Sequence, residues 1–226
     1  MKLKQTGIAV AVFTIVTSCN NQASETSESK GDTSTSQTSN AAMDTSSNMS
    51  NMGSKNTRND LMSSMNSSMD KMKNAPMTGD FDIDFANMMI EHHQGGIDMA
   101  QVEISKGRDE AMKSKAQEII TKQQKEQQEL RDFVSSYKPS GMKHGEGELQ
   151  KEMSKMSDKM KGMQMTGNMD KDFATMMSSH HEDGISMNKV ELKNGMSDRL
   201  KQMAQKSISD QQKDIAELKK LMNNQK

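Results

Sequence analysis

The sequence predicts an all-α fold, a four-helix bundle made by internal duplication with additional short Met-rich helices. Three observations carry that expectation. Shifting the chain by 88 positions aligns Asn59–Leu130 with Gly147–Leu218 without a gap, placing Phe85 on Phe173, His92–His93 on His180–His181 and Glu103 on Glu191. Within each copy the apolar residues recur at three- and four-residue spacing, and no alternating strand pattern occurs. Only 31% of the 226 residues are hydrophobic and tryptophan is absent, which suits one modest core.

Taken in order, the chain begins with an address. Lys2 and Lys4 precede "GIAVAVFTIV" (residues 7–16), an apolar run of signal-peptide length that is too short to span a bilayer. "VTSC" closes it at Cys19, the only cysteine. Residues 1–19 thus resemble a bacterial lipoprotein signal peptide, cleaved before a cysteine that is then lipidated, with Val16 where leucine is commoner. A single cysteine leaves the exported part without disulfides, to fold by packing alone. Residues 20–57 read as a disordered linker, because Ser, Thr and Asn supply 22 of the 38 positions. Met43, Met49 and Met52 punctuate it.

The duplicated helical domain is expected over 58–226, with copies at about 59–130 and 147–218. The first helix of each copy carries methionines at helical spacing: Met62, Met65, Met69 and Met72, then Met153, Met156, Met160 and Met163. "PMTG" (76–79) and "QMTG" (164–167) are turns. Asp80 or Asp82 can cap the next helix, and Gly107 stops it. A third helix is expected from Asp109 to Tyr137, before Pro139 and Gly141, with a counterpart running from Ser197 towards the C-terminus. The long second and third helices of both copies suffice for the bundle.

A formal net charge of −1 offers no case for a nucleic-acid partner. Methionine is the compositional outlier, with 26 residues against eight leucines. Four of the five histidines stand as two adjacent pairs, in "MMIEHHQGGIDMA" and "MMSSHHEDGISMN". At about 100° per residue, His92, Met88, Met89, Met99 and Glu103 fall on one stripe of a helix, with His93 at its edge. The second copy repeats the stripe with Met176, Met177, His180, Met187 and Glu191, and His181 again at the edge. Glu91 and Asp98 become serines in the second copy, whereas the His and Met positions do not change. Imidazole beside thioether is a soft N/S donor set, suited to Cu(I) and, as a second candidate, Ag(I), far better than to Mg²⁺ or Ca²⁺. Methionine at helical spacing is also ordinary core, so a metal role and a packing role both stand at this level. Gln123 and Gln211 each lie three residues after a core isoleucine, and can hydrogen-bond a histidine ring or face water. His144 falls in the loop between the copies as a solvated histidine.

The phrases "DFANMMIEHHQGGIDMAQVEI" and "DFATMMSSHHEDGISMNKVEL" resemble the domain-of-unknown-function family 305, over roughly residues 58–222. The resemblance implies a ferritin-like four-helix bundle. Some exported members of that family are copper-binding proteins that use Met and His and support copper resistance. Carried over by position, it implies ligands at Met88, Met89, His92, His93 and Met99, and at Met176, Met177, His180, His181 and Met187. Asn188, in place of the usual alanine, and Ser178–Ser179 mark where the second copy departs, which allows two unequal sites.

The leading expectation is a binder of Cu(I) anchored by lipid to a membrane of the bacterial envelope, facing the periplasm or the surface. It would buffer copper or pass it to an exporter or chaperone. A helical partner-binding module with a Met-rich surface is the alternative. A ferritin-like di-metal oxidase is weaker, because no Glu-x-x-His occurs in the chain. No enzymatic activity is expected.

Overall fold

The computed structural model describes residues 46–139 and 145–224, and side chains from Asn59 onward. The signal peptide, Cys19, the linker to residue 45 and His144 lie outside the described residues. All regular elements among the described residues are helices: α1 (Ser46–Asn74), α2 (Phe81–Lys106), α3 (Glu110–Ser136), α4 (Glu146–Lys161), α5 (Met169–Asn194) and α6 (Asp198–Asn224).

The two copies fold the same way because short local devices are repeated. Gly79 and Gly167 adopt φ of 84° and 83°, the left-handed region that favours glycine. A carboxylate one turn into the following helix then fastens each turn. Asp84 accepts from the Thr78 N–H and hydroxyl, both at 2.7 Å, and from the Gly79 N–H at 3.0 Å. Asp172 accepts in the same way from Thr166, at 2.7 Å twice, and from Gly167 at 2.9 Å. Of the two expected caps for α2, Asp80 is the N-cap and receives the Ile83 N–H. Asn168 does this for α5. Gly107 and Gly195 end those helices as expected.

Asp82 has a different task. It accepts the Met196 N–H at 3.0 Å, the Ser197 N–H at 3.3 Å and the Tyr137 hydroxyl at 2.8 Å. Its repeat partner Asp170 accepts the N–H groups of Arg108 and Asp109, both at 2.9 Å. The start of each central helix is therefore tied to the loop that ends the other. Helices α2 and α5 consequently run antiparallel, related by a pseudo-two-fold axis through their middles.

Around this pair, α3 folds back on α2 and α6 on α5, completing the bundle. The Met-rich helices cover it from the side, α1 lying on α2 and α5 and α4 on α5. Their methionines face inward: Met65, Met69, Met72, Met153, Met156 and Met160 are buried. One expectation needs correcting. Helix α1 is not short: at 29 residues it is the longest element, and it begins at Ser46, inside the stretch read as linker. Extending a formed helix adds a hydrogen bond per residue without a new nucleation cost, so polar Ser/Asn sequence can follow an anchored turn.

Candidate metal centre

Sandwiched between the covering helices and the α3–α6 side, α2 and α5 bury nearly their whole circumference, including all four paired histidines. His92, His93, His180 and His181 are each 2% exposed or less. The antiparallel crossing brings the two pairs together at the bundle's midpoint. The rings of His92 and His180 stack with centroids 3.8 Å apart and planes 22° off parallel. His93 lies 6.1 Å from His92 and His181 lies 5.9 Å from His180, so one cluster holds four imidazoles.

The hydrogen bonding of these rings is incomplete. Nε2 of His180 reaches the His92 backbone carbonyl at 2.9 Å. A carbonyl can only accept, so this nitrogen carries the proton and Nδ1 keeps its lone pair. Nε2 of His93 meets Glu126 at 3.0 Å. Six ring nitrogens lack a well-formed hydrogen bond to the described residues: both of His92, whose ring approaches the His180 backbone, both of His181, whose Nε2 stands 3.7 Å from Asp214, and Nδ1 of His93 and His180. A buried polar atom left unsatisfied costs about 1–3 kcal/mol, so the cluster by itself does not stabilise the fold. Burial, followed by the neighbouring imidazoles, pushes the pKa values of His92 and His181 well below the ordinary histidine range. Burial lowers His180 to about 4. These three rings are neutral at pH 7, with nitrogen lone pairs ready to donate.

The methionines are reassorted relative to the sequence reading. A stripe within one helix suggested one site per copy. Met99 stands seven residues from His92, about 10 Å along the axis, so it cannot share a small site with Met88 on the same helix. Because α2 and α5 are antiparallel, Met88 and Met89 share a core cluster with Met187 of the other copy. Met176 and Met177 share the opposite cluster with Met99. Both core clusters are methionine-rich and mix the copies, the one with Met88, Met89 and Met187 also holding Met69 and Met72, the one with Met99, Met176 and Met177 also holding Met112 and Met160. Met88 and Met89 lie one turn before His92 and His93, and Met176 and Met177 one turn before His180 and His181, which makes them neighbours on the helix surface.

Glu103 is also displaced from the stripe's chemistry. Eleven residues from His92, or about 16 Å, it faces Asp170 at the bundle's end. Two ionised carboxylates offer each other no donor, whereas a proton on Glu103 turns the contact into a hydrogen bond. Burial, then this pairing, raises Glu103 to about 8. Glu191 against Asp82 is its repeat, raised to about 9 by burial and by the Asp82 charge.

Gln123 and Gln211 face inward, packed on Gly96 and Gly184 where any Cβ would collide with them. Neither bonds a histidine. Gln211 donates to the Ser207 hydroxyl at 3.0 Å, and both amide atoms of Gln123 lack a protein partner.

Around the outer histidines the copies diverge. Glu126 on α3 receives the His93 ring N–H. Burial would raise its carboxyl, but the His93 contact outweighs this and holds it below the usual range. Its repeat partner Asp214 on α6 is 3.7 Å from His181 Nε2, too far for a hydrogen bond, and instead binds Lys115 at 2.6 Å and Lys122 at 2.8 Å. Beside His93 a cleft opens, lined by Met89, Glu126, Glu129, Met203 and Lys206 among others. Glu126, Met203, Lys115 and Asp214 were invisible to the motif reading, because they come from other helices, 33 to 110 residues from the histidines they flank. The one available signal was the 88-residue shift, which places an acid at both Glu126 and Asp214.

Among the described residues, no helix is long and apolar enough to cross a membrane. The profile of the family described as "Domain of unknown function (DUF305)" matches twice, at residues 14–134 and 82–222. A solved structure, titled "Crystal structure of DUF305 fragment from Deinococcus radiodurans", is similar at 15% identity and a TM-score of 0.48, covering 63% of this chain and 95% of that one. No curated protein matches the chain.

Proposed function

The chain belongs to the DUF305 family, and we propose that it is an exported, lipid-anchored binder of Cu(I), with Ag(I) as a second cargo, that buffers the metal or hands it on. The observation that supports this most is the buried cluster of four imidazoles, several of whose ring nitrogens lack a well-formed hydrogen bond, with Met88–Met89 and Met176–Met177 one turn before the two His pairs. His92, His93, His180 and His181 would supply nitrogen donors. Met88, Met89 and Met187 on one side, and Met99, Met176 and Met177 on the other, would supply sulfur. Neutral imidazole and thioether favour a soft monovalent ion, and their neutrality lets one positive charge be buried without deprotonating a ligand. Cys19 would carry the lipid that holds the domain at an envelope membrane, from which an exporter or chaperone could collect the metal.

Ligand chemistry favours this reading over a carboxylate-bridged oxidase. Among the described residues, the trio of His, Cys, Asp or Glu donors within 4.8 Å of one another is Glu118, Asp214 and Glu217, which already holds Lys115 and Lys122. The four histidines bring no three ring nitrogens that close, so they would shift to close on an ion. A Met-rich docking surface has less support, since among the described residues the exposed large hydrophobic ones are Met77 and Met196.

The test is an anaerobic Cu(I) titration against a colorimetric chelator. It would use the full chain with Cys19→Ser, so that no thiol competes, and the same chain with all four paired histidines changed to alanine. The native cluster should retain Cu(I) and the quadruple variant should lose it while keeping its helical circular dichroism. Equal retention by both proteins would rule out the histidine cluster as the site.

A further inference from the structure

The duplication supplies an internal control for how an ion reaches the buried cluster. In the first copy, the cleft over His93 is lined by Met89, Glu126 and Met203. In the second copy the same repeat positions are Met177, Asp214 and Lys115. Two of the three keep their chemistry. The third exchanges a thioether for an ammonium.

That exchange places a tethered cation where the first copy has none. Lys115 is 5% exposed, lies 2.6 Å from Asp214 and also binds Glu217 and Glu118. Burial alone would lower its pKa, but the hydrogen bonds to Asp214 and Glu217 outweigh burial and raise it. The ammonium is therefore permanent. It engages the carboxylate equivalent to Glu126, beside the histidine equivalent to His93. The second copy thus shows that this pocket type accommodates a positive charge, and that there the charge belongs to the protein.

On the first-copy side the lysine in the cleft lining, Lys206, acts on Glu126 through its charge but does not bond it. Met203 is half-buried, and Lys206, the cleft's one lysine, turns to Asp210 at 2.7 Å. Glu126 holds the His93 ring through Nε2, leaving Nδ1 without a protein partner. A carboxylate that fixes a ring through one nitrogen leaves the other oriented as a ligand. Met89, on the turn before His93, and Met203, on α6, are the thioethers lining the same cleft.

Resting on the copper reading above, we propose that the cleft formed by Met89, His93, Glu126 and Met203 is the metal-loading site, and that its counterpart at His181 is closed by Lys115. Loading is one-sided although the histidine cluster is two-fold. A soft monovalent cation would bind the thioethers and the His93 imidazole, with Glu126 supplying the compensating negative charge.

The experiment uses the full chain with Cys19→Ser throughout, presented anaerobically with Cu(I) held by a colorimetric chelator. Three proteins are compared: the parent, Met203→Leu, which keeps the volume and removes the sulfur, and Lys115→Met, which restores a thioether on the closed side. Both the transfer rate from the chelate and the ions retained are read. Met203→Leu should slow transfer at least tenfold with an unchanged thermal midpoint. Lys115→Met should add a second loading phase. If Met203→Leu loads like the parent while the parent loads normally, the one-sided port is wrong and the copper reading stands. If the parent takes no Cu(I), both fall.

Discussion

Set side by side, the two copies agree in their backbone devices and differ in what surrounds the outer histidines. Both use a Thr-Gly turn fastened by a carboxylate, a side-chain N-cap, a glycine stop and a Glu–Asp contact to the other copy. Both deliver a His pair to the same crossing. On the outer side, however, His93 meets Glu126 under an open cleft, while His181 stands near Asp214 in a lysine-rich ion network. Duplicated sequence is kept where an error would misplace a helix. It differs at the flanks of the histidine crossing, where a buried lysine in one copy stands for a half-buried methionine in the other. A pseudo-symmetric framework can therefore carry an asymmetric site.

The largest test of that difference is to remove the two acids. Asp214→Ala should cost about 3 kcal/mol, because it removes the buried carboxylate shared by Lys115 and Lys122 and leaves Lys115 only its contacts to Glu217 and Glu118. Glu126→Ala removes one hydrogen-bond partner from His93 and should cost about 1–3 kcal/mol. Denaturant midpoints compare the two. Equal costs would mean that the lysine network stabilises nothing extra.

Next in size is the pH profile, which tests the features the copies share. Glu103 and Glu191 titrate near 8 and 9 in the fold against 4.5 unfolded. The folded state therefore holds more protons than the unfolded chain between those values, and stability should fall as pH rises from about 4.5 through 9. Glu103→Gln with Glu191→Gln should flatten that alkaline limb. On the acid side the direction reverses. His92, His180 and His181 resist protonation in the fold, so the unfolded chain takes up protons first, and stability should drop as pH falls below 6.5 towards 4. Thermal midpoints across pH 4–10 read both limbs. An alkaline limb that persists in the double glutamine variant would contradict the carboxyl pairing.

The smallest effect sharpens the comparison at the caps. Asp80→Ala and Asn168→Ala each lose one side-chain cap, at about 1 kcal/mol. Asp80 should cost a few tenths of a kcal/mol more, since its charge also opposes the positive end of the helix dipole. The midpoint difference should shrink in high salt.

Much of the fold was legible in advance because it is written in short-range chemistry. The turns at 76–79 and 164–167, an acidic cap at Asp80 or Asp82, the Gly107 stop and the span of α3 all follow from residues within a few positions of one another. The partition of labour between Asp80 and Asp82 was not legible. Both are acids near a helix start, and only the arrival of Met196 and Ser197 assigns Asp82 to the opposite loop. Likewise the helical stripe correctly selected Met88, His92 and Met99 as inward-facing. It could not say that Met99 would share a core cluster with Met176 and Met177, because that depends on where the antiparallel α5 lies against α2.

The sequence by itself determined the all-helical class, the duplication and its period, the inward face of each long helix and the residues that carry donor chemistry. Periodicity and turn chemistry act over a few residues, and a repeat states its own spacing. Only the tertiary structure decided that two His pairs make one cluster, that the methionine-rich clusters mix copies, and that Lys115 fills one flank while Met203 leaves the other open. Those outcomes depend on how α2 crosses α5 and on which residues of α3 and α6 arrive beside the crossing. Such long-range packing is set by the whole core at once, and no local pattern encodes it.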